Sequence, residues 1–222
     1  VFLKQNLNLT SSPIKSLLFK IAVPSMTGSL FQTLFTIIDT FYAGKISSEA
    51  LAALAKAFPL YFLIVSAGIG IVAGCNSLIA NAIGSKNTVL ASIYSHHAII
   101  YSVLLSVFIT FVGIFFSDEL LKFMGSSNKS VILSSKYLDI IFYGTIIFLI
   151  LTAFNSILYA QGDTKTYRNV LFFGVIANII LNPVFIFGFL FIPAFGIAGL
   201  AISTIIIQFV ACVYIFYKVN KT

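Results

Sequence analysis

Apolar residues fall into six long runs separated by short polar segments, at about 17–43, 57–83, 94–116, 132–160, 169–191 and 197–217. About 20 consecutive apolar residues cross a bilayer as a helix, so each run predicts one transmembrane helix. The segments between them, Gly44 to Glu49, Gly84 to Asn87, Gly125 to Lys129, Gln161 to Arg168 and Pro193 to Gly196, hold turn formers and read as short hairpin connections. Within Ser117 to Lys136, the residues Leu120, Leu121, Phe123 and Met124 suggest an additional short helix lying at the membrane interface. The expected fold class is all-α, a polytopic membrane bundle of six transmembrane helices. Connections of about 5–15 residues leave no room for a soluble domain, so any chemistry must lie inside the bundle or at its mouths.

Composition agrees with that pattern. Of 222 residues, 59% are hydrophobic and 9% charged, with a mean hydropathy of +1.07, whereas soluble domains carry about 25% charged residues. The net charge of +7 would suit nucleic acid in a soluble chain, but here the basic residues flank the spans and report orientation instead. One side carries Lys4, Lys15, Lys20, Lys86, Lys165, Arg168, Lys218 and Lys221; the other carries Lys45, Lys56, Lys122, Lys129 and Lys136. Both ends are therefore expected in the cytoplasm of a multi-pass protein of the plasma (bacterial inner) membrane, with lipid as a partner and no nucleic acid. The first apolar run is too long for a cleavable signal peptide. A chain beginning with Val1 rather than Met fits a segment of a longer protein, although processing or truncation gives the same start.

Enzymatic signatures are missing. Cys75 and Cys212 lie in apolar spans without a C-x-x-C partner and read as small buried hydrophobes. His96 and His97 are adjacent, so on a helix they point about 100° apart and do not face one metal. There is no G-x-S-x-G elbow, H-E-x-x-H pair or Walker loop. Neither an enzyme nor a cofactor or metal cluster is expected.

Candidate chemistry begins with Asp39, a carboxylate late in the first run. A charge at membrane depth costs from roughly 3 to more than 10 kcal/mol, which makes such a residue a functional candidate. Ser25, Ser29, Gln32, Thr36 and Asp39 recur at helical spacing and share one face, which must look onto protein or water. Hydrogen bonding to a neighbouring helix is the plain alternative for the Ser, Thr and Gln side chains. Pro24 removes a backbone donor and should bend or loosen the helix, as a static kink or a hinge; it lies about 22 Å from Asp39 along the axis. Gly68, Gly70 and Gly74 allow close helix packing. Thr152, Asn155, Ser156 and Tyr159 share a face of the fourth span, with Tyr137 and Asp139 nearer its start. Asn178 and Asn182 stand one turn apart before Pro183, where their side-chain carbonyls could coordinate a cation or hydrogen-bond Asp39 across the bundle; Thr204 and Gln208 repeat the spacing. Helix packing would satisfy each of these groups equally well.

The first-span sequence P-S-M-x-G-S-L-x-Q-T-L-F-x-I-I-D-T-x-x-A-G, then E-A-L-A-A-L, A-Q-G-D-T-K-T-Y-R, A-N-I-I-L-N-P-V-F-I-F-G and G-I-A-G-L-A-I-S-T, in this order, resemble the multidrug and toxic compound extrusion (MATE) family from about Pro13 to Tyr217. The resemblance implies an antiporter of two six-helix lobes that exchanges Na⁺ or H⁺ for cationic or amphipathic compounds. It implies that residues 1–222 are the N-terminal lobe, completed by a C-terminal lobe or by a second copy. By the same resemblance Asp39 is the ion-coupling acid, joined by Asn178 and Asn182 as a possible Na⁺ site, and Pro24 is the bending point. Gln32, Thr36, Tyr137, Asn155 and Thr204 are the candidate cavity-lining residues. Asn182 departs from members that carry a second acid there, which removes one titratable group. A lipid-linked saccharide flippase would be expected to show a cationic cavity, whereas these stripes hold Asp and amides. A non-transporting scaffold would leave Asp39 unexplained, and an intramembrane hydrolase would need a nucleophile or acid paired with a base at matched depth.

Overall fold

The computed structural model describes residues 13–125 and 128–221. They form six helices: α1 (Ile14–Ile46), α2 (Ser48–Gly84), α3 (Thr88–Phe123), α4 (Asn128–Ala160), α5 (Lys165–Phe187) and α6 (Ile197–Lys221). All six are long and apolar enough to cross a membrane. The only β pairing among the described residues is an isolated bridge between Phe189 and Ile192. Lys4 and the middle of the third turn, 126–127, lie outside the described residues.

Several helices run past their apolar runs, because hydropathy marks the part in lipid and capping marks where the helix stops. Ser47 alone separates α1 from α2. Its backbone is extended, and its Oγ accepts from the Ala50 amide at 3.0 Å, capping α2. The helix-forming stretch Glu49 to Lys56 then lies inside α2, and Pro59 sits in the helix interior. The expected interfacial helix is also corrected. Leu120, Leu121 and Phe123 continue α3, Leu121 is fully buried, and Met124 is the C-cap. Packing of Leu121 into the bundle outweighs any preference for the interface. In the other direction, α5 stops at Phe187 instead of reaching 191. Gly188 (φ 81°), Leu190 (φ 51°) and Gly196 (φ 58°) adopt left-handed backbone and make a compact turn.

Helix α4 is the centre of the bundle and packs on α2, α3 and α6, while α1 packs mainly on α5 and less on α2. Two thirds (67%) of the apolar window of α4 is buried, against 11% for α1. The buried core runs through Leu60, Ile64, Leu138, Ile141 and Leu200 toward Leu149, Leu158 and Ile215. Helices α5 and α6 approach closely at Gly199, where an added Cβ would lie 2.4 Å from the Phe185 carbonyl oxygen. Close approach of backbones through a small residue is a recurring packing device inside membranes. It sets the register between the two helices that hold the polar centre described next.

Candidate functional site

Asp39 lies two turns before the end of α1 and is 9% exposed. Across from it, α5 presents Asn178 and Asn182, one turn apart on the same face and both fully buried. Both amide nitrogens donate to the same carboxylate oxygen, Asn178 Nδ2 to Asp39 Oδ1 at 2.9 Å and Asn182 Nδ2 to Asp39 Oδ1 at 2.8 Å. Asn182 Nδ2 also donates to Asn178 Oδ1 at 2.8 Å, and Ser203 Oγ of α6 donates to Asn182 Oδ1. Three helices thus meet in one hydrogen-bonded chain. Tyr42 Oη adds a cross-link by donating to the Ile179 carbonyl at 3.1 Å.

The arrangement satisfies half of the carboxylate. Oδ1 takes both amide donors, whereas Oδ2 takes none from the described residues, and no basic side chain among them pairs with Asp39. Asp39 also lines a cavity of about 310 Å³ with Phe35, Thr36, Phe58, Tyr61, Tyr137 and Thr204. Thr36 and Thr204 spend their hydroxyl protons on carbonyls of their own helices, Gln32 O at 3.3 Å and Leu200 O at 2.9 Å. Their oxygens are thereby left as acceptors. The polar part of the wall offers oxygen atoms and a single negative charge, which suits a hard cation, a proton or water. Aromatic and aliphatic walls fill the remainder, as in sites for amphipathic small molecules.

Among the residues expected from the sequence, Asp39, Asn178 and Asn182 come together, and Thr36, Tyr137 and Thr204 share the cavity with Asp39. Gln32 lines a smaller neighbouring cavity instead. Asn155, further along α4 than Tyr137, is not among the residues lining the Asp39 cavity; it is 3% exposed, with its Oδ1 buried and unbonded. The polar stripe of α1 is only partly a site. Ser25 and Ser29 donate to Ile21 O and Ser25 O of their own helix, at 2.9 and 3.2 Å. Pro24 is buried within an α1 that remains helical through it. The amide oxygens of Asn178 and Asn182 are both occupied by protein donors, so cation coordination through them requires those amides to turn.

Sequence reasoning missed Ser203 and Tyr61. Ser203 stands beside Thr204, whose one-turn pairing with Gln208 drew attention away; reading it against Gly199, one turn earlier, would have placed it on the face toward α5. Tyr61 carries no local signal, since it lies in an unbroken apolar stretch.

The family model MatE matches residues 24–184. The chain belongs to the MatE family. An FAD transporter of Shewanella oneidensis is 30% identical over 209 residues, 94% of this chain and 46% of that protein. A probable multidrug resistance protein of Bacillus subtilis, YoeA, is 31% identical over 185 residues, 83% of this chain and 40% of that protein. Among solved structures, a MOP superfamily transporter from Pyrococcus furiosus superposes with a TM-score of 0.88 at 28% identity, covering 96% of this chain and 47% of the other. The chain spans about half the length of the curated relatives it matches. The MatE family is one of transporters, and this member is a multi-pass membrane protein.

Proposed function

We propose that this MatE chain is the N-terminal six-helix lobe of a secondary active exporter, in which Na⁺ or H⁺ entering at Asp39 drives extrusion of a cationic or amphipathic compound. The observation that carries this reading is the half-satisfied carboxylate: Asp39 Oδ1 is fixed by two amides while Asp39 is the one charged residue, among those described, that lines the cavity. An ion couples to transport only if its binding favours one conformation over another. Occupancy by Na⁺ or a proton cancels the Asp39 charge, which lowers the cost of closing α1, α2 and α6 around it. Pro24 serves as the point where α1 bends, since the proline leaves the Lys20 carbonyl without its helical donor. Thr36, Tyr137 and Thr204 line the cavity, and the second lobe, or a second copy, supplies its opposite wall. Both termini face the cytoplasm of a bacterial inner membrane.

A flavin nucleotide cargo is the second reading, favoured by the relative described as an FAD transporter. Among the described residues the only charge on the cavity wall is negative, so phosphate groups would have to be met by the other half. Efflux from cells expressing the full protein that carries this chain tests the main reading. Asp39→Asn is expected to abolish gradient-dependent export of a cationic dye at normal expression; undiminished export would remove Asp39 from the coupling.

A further inference from the structure

We propose that Tyr61, Tyr167 and Tyr159, with water held by Gln208, form a switched proton path between the Asp39 cavity and the face of the bundle that carries Ile14 and Lys221. This path rests on the coupling role given to Asp39 above, and it identifies the ion moved along it as a proton.

Tyr61 is the junction. It lines the 310 Å³ cavity beside Asp39 and two smaller cavities, of about 30 Å³ and about 10 Å³. The 30 Å³ cavity is also lined by Gln32, Tyr167 and Gln208, from α1, α5 and α6. Gln208 lines both small cavities, and its Oε1 is buried without a hydrogen-bond partner. A buried acceptor of this kind costs about 1–3 kcal/mol unless it is met. A water needs roughly 10–15 Å³ of such volume and two to four polar partners, and this cavity provides both.

Beyond Gln208 the series continues away from Asp39. The Tyr167 ring meets the Tyr159 ring edge-on, with centroids 6.2 Å apart. Tyr159 is the penultimate residue of α4, and in the connection that follows Asp163 caps α5 by accepting from Lys165 N at 3.1 Å and Thr166 N at 3.0 Å. Tyr61 shares one cavity with Asp39 and another with Tyr167, and Asp163 follows Tyr159 by four residues. Four helices supply these groups, so no single helix pattern reveals them.

Only a proton fits such spaces. A phenol or water can accept a proton on its oxygen and release its own from the same atom, so one proton is passed on and no bond is left changed. Asp39 begins as a carboxylic acid, ends as a carboxylate, and the proton emerges in water beside Asp163. A hydrated Na⁺ has no room in a cavity that holds one or two waters. A path open at all times would collapse the gradient that drives export, so the path must be broken in part of the cycle. Tyr61, shared by all three cavities, is placed to make that break.

The test uses the full protein that carries this chain, reconstituted in one orientation, with the Asp39 carboxyl band followed by infrared spectroscopy after a pH jump on either side. Asp39→Asn assigns the band. Tyr61→Phe and Tyr167→Phe each remove one oxygen and keep the ring, and Gln208→Leu keeps the volume without the acceptor. Each is expected to slow the response to a jump on the terminal side by at least about tenfold, the scale of a lost proton-transfer partner, with the response from the other side unchanged. Equal rates from the terminal side in wild type and all three variants overturn the path while leaving the coupling role of Asp39 intact. A wild-type Asp39 band that responds to neither side removes both.

Discussion

Asp39 shows how a membrane-buried acid is kept without a basic partner. Two amide donors on one oxygen replace water on that side, and the cavity supplies the other side, so the charge is neither bare nor locked. Hydrogen bonds to a charged group contribute about 1.5–3 kcal/mol each, so Asn178→Leu is expected to lower stability by that amount, read as a fall in melting temperature in detergent. Ser203→Ala leaves one amide oxygen unmet and should cost about 1–3 kcal/mol in the same assay. An unchanged melting temperature in both would contradict the hydrogen-bonded chain. At this scale the sequence was informative where residue type is rare for its surroundings. Asp39 and the Asn178–Asn182 pair stood out because amides and acids are expensive in lipid. Tyr61 and Ser203 did not, because a phenol or a hydroxyl in an apolar helix is ordinary, and only the packing of α2 and α6 against α1 and α5 gives them partners.

Helices α1, α5 and α6 carry the consequences of small local choices. An Ala at position 199 would press its Cβ onto the Phe185 backbone, 2.4 Å away, and backbone cannot swing aside as a side chain can. Gly199→Ala should therefore destabilise by about 1–3 kcal/mol, the range for overpacking, and should weaken transport by shifting Ser203 against Asn182. Retained stability and transport would show that the α5–α6 register is looser than the structure indicates. For Pro24→Ala, a helix with its Lys20 bond restored is expected to insert normally and transport poorly; wild-type rates of export would refute the hinge. Six spans and most turns were legible because a bilayer imposes a minimum apolar length. Ends were less so, since Ser47, Gly188 and Met124 stop helices through capping and backbone geometry that hydropathy does not register.

The described residues form a six-helix unit with its polar centre on the α1, α5 and α6 side and its most buried helix, α4, behind. An even number of spans brings Ile14 and Lys221 to one face, and the proposed orientation places that face in the cytoplasm. In a background lacking Cys75 and Cys212, Lys45→Cys should react with a membrane-impermeant thiol reagent in intact cells, and Ser85→Cys only after permeabilisation; the reverse pattern would invert the topology. The fold was readable at this scale because composition and run length leave few alternatives to a helical bundle. The cavity was not, because its wall is assembled from four helices far apart in sequence. Its coupling role is tested most directly by running the exporter backwards in proteoliposomes, with an imposed gradient of cationic dye and the countermovement of H⁺ or Na⁺ recorded. Ion movement driven by the dye in wild type and abolished in Asp39→Asn is the predicted result; ion movement of equal size in the variant would contradict the account.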